Sequence, residues 1–238
     1  MTFYLSSPGN QMTADKLRGM PVLVSYALYA KWMDQYVPSF DRVLIDSGAF
    51  SEFNSGKSVD GSAYRDWCAR WDGVEHVAAV AGLDDIRGDW RKSLRNYEQY
   101  GGFPTFHETD PHELLDDLIP LACERGGWLG VGLLPPRGGK WRWVKETLAR
   151  VPDGLHVHFW AGGEYCGHPR VDSCDSTNWL LDSFQYRKDL PFLTLAECVE
   201  LVVKRYRRVR RKPVDPAVTP SLFSLKEESC ALTNAKDR

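Results

Sequence analysis

Short apolar runs alternate with longer stretches of helical period along most of this chain. Eight runs read as strands: Thr2–Leu5, Val22–Tyr26, Val43–Asp46, Val77–Leu83, Pro104–His107, Leu129–Leu133, His156–Trp160 and Arg170–Asp172. Helical patterns fall between several of them. Gly61–Trp71 is one, and Asp89–Tyr100 is another, with Asp89 as its N-cap. A third starts at Asp110-Pro-His-Glu, with the acid as N-cap and proline at the first helical position. Lys140–Arg150 follows Gly138-Gly139 and closes at Pro152-Asp-Gly. A last helix starts near Thr194, with an apolar stripe of Leu195, Cys198, Val199, Val202, Tyr206 and Val209. Gly9–Met20 has no clear helical period.

Strand, helix, strand repeated in this way predicts parallel pairing. Eight repeats predict a closed TIM (β/α)8 barrel rather than an open sheet. A length of 238 residues suits one such domain, and 43% hydrophobic residues can fill its core. No composition shift marks a second domain, so residues 1–212 are expected to form one catalytic unit. Residues 213–238 are polar and contain proline, which predicts a loosely held tail.

The net charge of −2 excludes a general attraction for nucleic acid, so any such attraction must be local. Two patches qualify. One is Lys204-Arg-Tyr-Arg-Arg-Val-Arg-Arg-Lys212, in which Lys204, Arg207, Arg208, Arg210 and Arg211 are candidate phosphate contacts. Cations are ordinary partners of a helix C-terminus, but seven in nine residues exceed that need. The other is Pro135-Pro-Arg-Gly-Gly-Lys-Trp-Arg-Trp143, which offers Arg137, Lys140 and Arg142. The N-terminus lacks a basic start and a long apolar stretch, and no run approaches the ~20 residues of a membrane span. A cytoplasmic protein is expected. Six scattered cysteines without C-x-x-C read as reduced thiols, not as disulfides or a structural zinc site.

The candidate chemistry lies where the strands end. Those positions are Tyr26, Asp46, Asp84-Asp85, His107-Glu108, Gly132-Leu133, Phe159-Trp160 and Asp172. In a closed barrel they converge on one face. Carboxylates, aromatics and a glycine-lined wall suit a flat, hydrogen-bonding ligand such as a nucleobase. Acids gathered at one site also push their pKa values apart, which separates acid and base roles. His156-x-His158 with Asp84 or Asp172 would instead suit a metal-dependent barrel hydrolase, though packing inside the barrel is the commoner role of such a histidine.

In order along the chain stand Asp46-Ser-Gly-Ala-Phe50, Leu83-Asp-Asp85, Phe106-His-Glu108, Gly130-Val-Gly132, His156-Val-His-Phe-Trp-Ala-Gly162 and Val171-Asp-Ser-Cys-Asp-Ser-Thr-Asn-Trp179. This series resembles the tRNA-guanine transglycosylases. It is most similar to their small phage-type relatives, the DpdA-like DNA-guanine transglycosylases, which insert 7-deazaguanine bases into DNA. The resemblance covers roughly residues 20–205. It implies that Asp172 is the nucleophile that expels guanine and forms a glycosyl ester. It implies Asp46 as the acid/base residue and Asp84 as reader of the guanine N–H edge, with His107 near the second reader. Ser47 falls in the motif beside Asp46. Gly132 and Leu133 would meet the base carbonyl through their backbones, and Phe50 with Phe159 or Trp160 would sandwich the ring. Asp175, three residues past Asp172, either orients the site or is itself the nucleophile.

No cofactor is expected, and no metal, because the chain lacks clustered cysteine ligands and completes no His-x-His site well. By the resemblance, its partners would be DNA and a 7-deazaguanine base such as a 7-cyano or 7-aminomethyl derivative. The closely spaced cysteines and histidine of the tRNA enzymes do not follow Asp172, which favours DNA over tRNA. A tRNA-guanine transglycosylase, its non-catalytic partner subunit and a metal-dependent hydrolase are the competing expectations.

Overall fold

Alternating inward and outward residues on eight parallel strands build one curled sheet in the computed structural model, which describes residues 1–56, 58–134 and 139–209. The strands are β1 (Thr2–Ser6), β2 (Pro21–Ser25), β3 (Arg42–Asp46), β4 (Val77–Val80), β5 (Thr105–His107), β6 (Trp128–Gly132), β7 (His156–Trp160) and β8 (Ser173–Ser176). Their order is β4-β3-β2-β1-β8-β7-β6-β5, so the first and last strands pair in the middle of the sheet. The outer strands β4 and β5 come together near a single parallel bridge between Ala81 and Phe103. There the Phe103 N–H donates to the Val80 carbonyl (2.9 Å) and the Gly82 N–H to the Phe103 carbonyl (2.8 Å). No continuous ladder joins these edges among the described residues. The architecture is an α/β fold with a curled parallel sheet, compatible with a TIM-like barrel.

The helices are α1 (Gln11–Lys16), α2 (Ala49–Ser55), α3 (Gly61–Cys68), α4 (Trp90–Tyr100), α5 (Leu114–Glu124), α6 (Trp141–Arg150), α7 (Asn178–Asp189) and α8 (Leu195–Val209). They bury the outward residues in two clusters. Leu5, Val22, Val24, Val43 and Ile45 pack with Tyr64, Trp67, Trp179 and the α8 residues Val199 and Val202. Phe106, Leu129, Val131, Val157 and Phe159 pack with Leu115, Leu118, Val144 and Leu148. The inward face has its own apolar layer of Tyr4, Leu23, Leu44, Ala81 and Phe103, with Trp128 and Trp160 against it. Period-2 alternation thus covers both faces of the strands, as parallel sheets require, although β4 is only half-buried.

Local chemistry sets the helix starts. Asp89 caps α4 by accepting the Lys92 N–H (3.0 Å), as the sequence predicts. Asn10 and Thr13 form a reciprocal capping box at α1, inside the stretch that shows no period. Asp110 does not cap α5. Its carboxylate accepts the His107 N–H (2.7 Å), and the helix begins at Leu114.

Two further expectations are corrected. The last strand is Ser173–Ser176, not Arg170–Asp172. Cys166 and Cys174 are paired as a disulfide, because the turn Gly163–Gly167 folds back over β8. Sequence spacing does not reveal such a pairing. No helix among the described residues is long and apolar enough to cross a membrane. The predicted tail, 213–238, lies outside the described residues.

Candidate active site

At the carboxyl end of the sheet the apolar inward layer gives way to polar side chains. β3 ends in Asp46, and Ser47-Gly48 turns the chain into α2. The turn needs glycine. Gly48 has φ +84°, and a Cβ there would lie 2.4 Å from the Ala27 Cβ. Ser47 is buried, and its Oγ accepts the Ala49 N–H (3.3 Å), so it serves the turn. Asp46 keeps a partial opening to solvent, but its carboxyl lies deep among protein atoms. Burial, joined by the charges of Asp84 and Asp175, pushes its pKa up to about 7 against the Gly48 N–H and Ser25 hydroxyl.

Asp84, just past β4, meets His107 at the end of β5, with Oδ2 and Nε2 2.5 Å apart. Both side chains are about nine-tenths buried. Burial lowers the imidazole pKa, but the bound Asp84 carboxylate, with Asp110 and Asp85 nearby, raises it net above its ordinary value. The ring passes directly over Gly132, where a Cβ would lie 2.6 Å from Nδ1. Glycine on β6 therefore makes room for the histidine. Asp85 turns aside to pair with Lys92 (2.7 Å).

Asp175, on β8, is the third carboxylate. Its Oδ2 accepts the Ser6 hydroxyl (2.8 Å) and its Oδ1 accepts the Ala161 N–H (2.6 Å). Ala161, with φ +47°, and Ser7, with φ +37°, hold left-handed backbone at the tips of β7 and β1. Such strain in non-glycine residues is uncommon and concentrates at functional sites. Here it aims the Ala161 N–H at the carboxylate.

Asp46, Asp84, His107, Gly132 and Asp175 therefore come together, with Trp160 beside Gly132 in the register. Asp172 does not. It precedes β8, its Oδ2 accepts the Val157 N–H (2.9 Å) and its carbonyl accepts the Thr2 N–H (2.7 Å). Those partners start β7 and β1, so Asp172 lies at the opposite end of the parallel sheet from Asp46. Phe159 also fails its expected place. It points outward, fully buried, with its ring 5.3 Å from that of Tyr165. Trp160 is the inward aromatic, stacked on Phe103 and donating from Nε1 to the Thr105 hydroxyl (3.1 Å). Leu133 packs its side chain into the outward core. Phe50 is exposed on α2, stacked with Phe53.

The basic candidates are dispersed. Lys140 Nζ is bound by Glu108 and by the Leu134 carbonyl. Arg142 is exposed and pairs with Glu146 (2.8 Å). Lys204 pairs with Glu200 (2.7 Å). Arg207 and Arg208 fall on the last turns of α8, of which only the backbone is described. Arg137, Arg210 and Arg211 lie outside the described residues. Among the described residues, no three His, Cys, Asp or Glu side chains are grouped as a metal site requires.

Sequence reasoning missed Ser6, Ser25 and Asp110. Ser6 and Ser25 each end an apolar strand on the inward parity, which is the signal that could have found them. The chain matches no family model, no curated protein and no solved structure.

Proposed function

We propose that this protein exchanges guanine in DNA for a 7-deazaguanine base, with Asp175 rather than Asp172 carrying the sugar. The observation that supports this is the meeting of two carboxyls, Asp46 and Asp175, at one end of the sheet. Asp175 is held by two donors, whereas Asp46 is pushed up to about 7. The first arrangement suits a nucleophile and the second a proton carrier, as in retaining glycosidases.

In this reading an Asp175 oxygen attacks C1′ of the nucleotide and the C1′–N9 bond breaks, leaving a glycosyl ester. Protonated Asp46 gives its proton to the departing guanine. The incoming base returns a ring proton to Asp46, and its nitrogen displaces Asp175 from C1′, which restores both carboxyls. Asp84, steadied by His107, accepts the N1–H and amino hydrogens of guanine, a donor pair that adenine lacks. Trp160 lies along the ring face. The reading includes closure of the sheet into a full barrel whose mouth holds the base. The Ala81–Phe103 bridge and the inward apolar layer support that closure. DNA is favoured over tRNA because no clustered cysteines follow β8 in the sequence.

The test is to incubate the protein with guanine-containing DNA or tRNA and labelled guanine. Label is expected in DNA. Label in tRNA alone would overturn the choice of polymer, and label in neither would overturn the activity.

A further inference from the structure

A chain of hydrogen-bonding groups runs behind Asp175 through the inside of the sheet. His158 is fully buried on β7. Its Nδ1 lies 2.9 Å from the Ser173 Oγ, and the same Oγ lies 2.8 Å from the Nε2 of His156. Its other nitrogen, Nε2, is buried without a hydrogen-bond partner and stands 3.5 Å from Oδ1 of Asp175. The edges of Tyr4 and Trp160 wall the ring in, with centroids at 5.9 Å and 4.4 Å.

One hydroxyl proton decides the direction of this chain. Ser173 can donate to one of its two imidazoles and accept from the other, or accept from both, which leaves His158 protonated on Nδ1 as donation to His156 does. If it donates to His156, the His158 proton sits on Nδ1, and a bare Nε2 lone pair faces the Asp175 carboxylate. If it donates to His158, the proton sits on Nε2 and points at Asp175. The carboxylate that a nucleophilic Asp175 requires disfavours the first arrangement and favours the second. His156 then gives its Nε2–H to Ser173 and stays neutral, in line with a pKa that burial lowers to about 4.

We infer that His158 is a positioning residue for Asp175, held by Ser173 and His156 in the tautomer whose Nε2–H points at the carboxylate. This rests on the base-exchange reading. A gap of 3.5 Å is at the limit of a hydrogen bond, and such contacts commonly tighten in the reacting complex. The role is to keep one Asp175 oxygen engaged while the other bonds to C1′. With Ser6 on Oδ2 and Ala161 on Oδ1, it leaves the carboxylate one direction in which to attack.

Two measurements test this. The first is the ¹⁵N spectrum of histidine in the wild-type chain, which reports the tautomer without reference to activity. His158 is expected to carry its proton on Nε2, and Ser173→Ala is expected to weaken that preference. A His158 with no proton on Nε2 overturns the inference, even in a protein that exchanges bases. The second is exchange kinetics. His158→Phe is expected to lower kcat about 10- to 100-fold with KM for the free base nearly unchanged, as loss of a hydrogen bond to a charged group implies. His158→Gln, whose amide N–H can reach the Nε2 position, is expected to recover part of the rate. A His158→Phe protein that exchanges bases at the wild-type rate also overturns the inference. An Nε2–H tautomer in a protein that exchanges no base would instead overturn the base-exchange reading and support the contact.

Discussion

Holding the Asp46 carboxyl at about 7 costs the folded protein stability. Its pKa is higher folded than the ordinary 3.8, so the folded state binds the proton more tightly than the unfolded chain does. The cost is absent below the ordinary value, builds as pH rises to about 7, and is constant beyond. A shift of about three pH units corresponds to at most about 4 kcal/mol, less where solvent reaches the group. Asp46→Asn is therefore expected to raise Tm over wild type at pH 8 and to change it little near pH 4, while base exchange is lost. Equal melting at both pH values would show that Asp46 titrates normally. Asp84 carries the opposite expectation. Asp84→Ala leaves His107 buried without its carboxylate, so stability should fall by about 1–3 kcal/mol. KM for the free base should rise and adenine should be rejected less well. Unchanged binding of 7-deazaguanines to that variant would remove Asp84 as the reader.

At the scale of elements, β7 shows what the pattern of the chain could and could not convey. His156-Val-His-Phe-Trp160 alternates, and both purely apolar residues, Val157 and Phe159, face the helices. Parity therefore already separated Phe159 from Trp160, although the sequence reading kept both. Phe159→Ala is expected to destabilise the fold by about 3–5 kcal/mol with little change in KM for the base. Trp160→Ala is expected to raise that KM. Denaturation and steady-state kinetics on the two variants check this, and reversed effects would exchange their roles. β8 was not legible in the same way. Ser173-Cys-Asp-Ser176 has no apolar run, because its inward residues Ser173 and Asp175 are taken up by hydrogen bonds inside the sheet. The apolar Val171 before Asp172 imitated a strand tip one loop too early. Seven of the predicted strands overlap the observed ones because hydrophobic burial on both faces wrote them into the sequence. The eighth was obscured by its polar inward residues.

For the whole molecule, the sheet order brings Asp46, Asp84, His107 and Asp175 from four separate strand ends to one place, although Asp175 lies 129 positions after Asp46 in the chain. Only the parallel topology could bring them together, and it is the register of β8 that places Asp175, and not Asp172, near Asp46. If DNA is the partner of this slightly acidic chain, its hold must come from local cations. Replacing Arg207, Arg208, Arg210 and Arg211 by Gln is expected to flatten the salt dependence of DNA binding and to spare binding of the free base. An unchanged salt slope would place the DNA elsewhere.

The most direct measurement is to find the residue that carries the sugar. Wild type, Asp172→Asn and Asp175→Asn are each incubated with guanine-containing DNA, denatured, and searched by mass spectrometry for a protein–DNA adduct, which is then mapped by digestion. The account predicts an adduct on Asp175 in wild type and in Asp172→Asn, and none in Asp175→Asn. An adduct on Asp172, or full base exchange by Asp175→Asn, would contradict it.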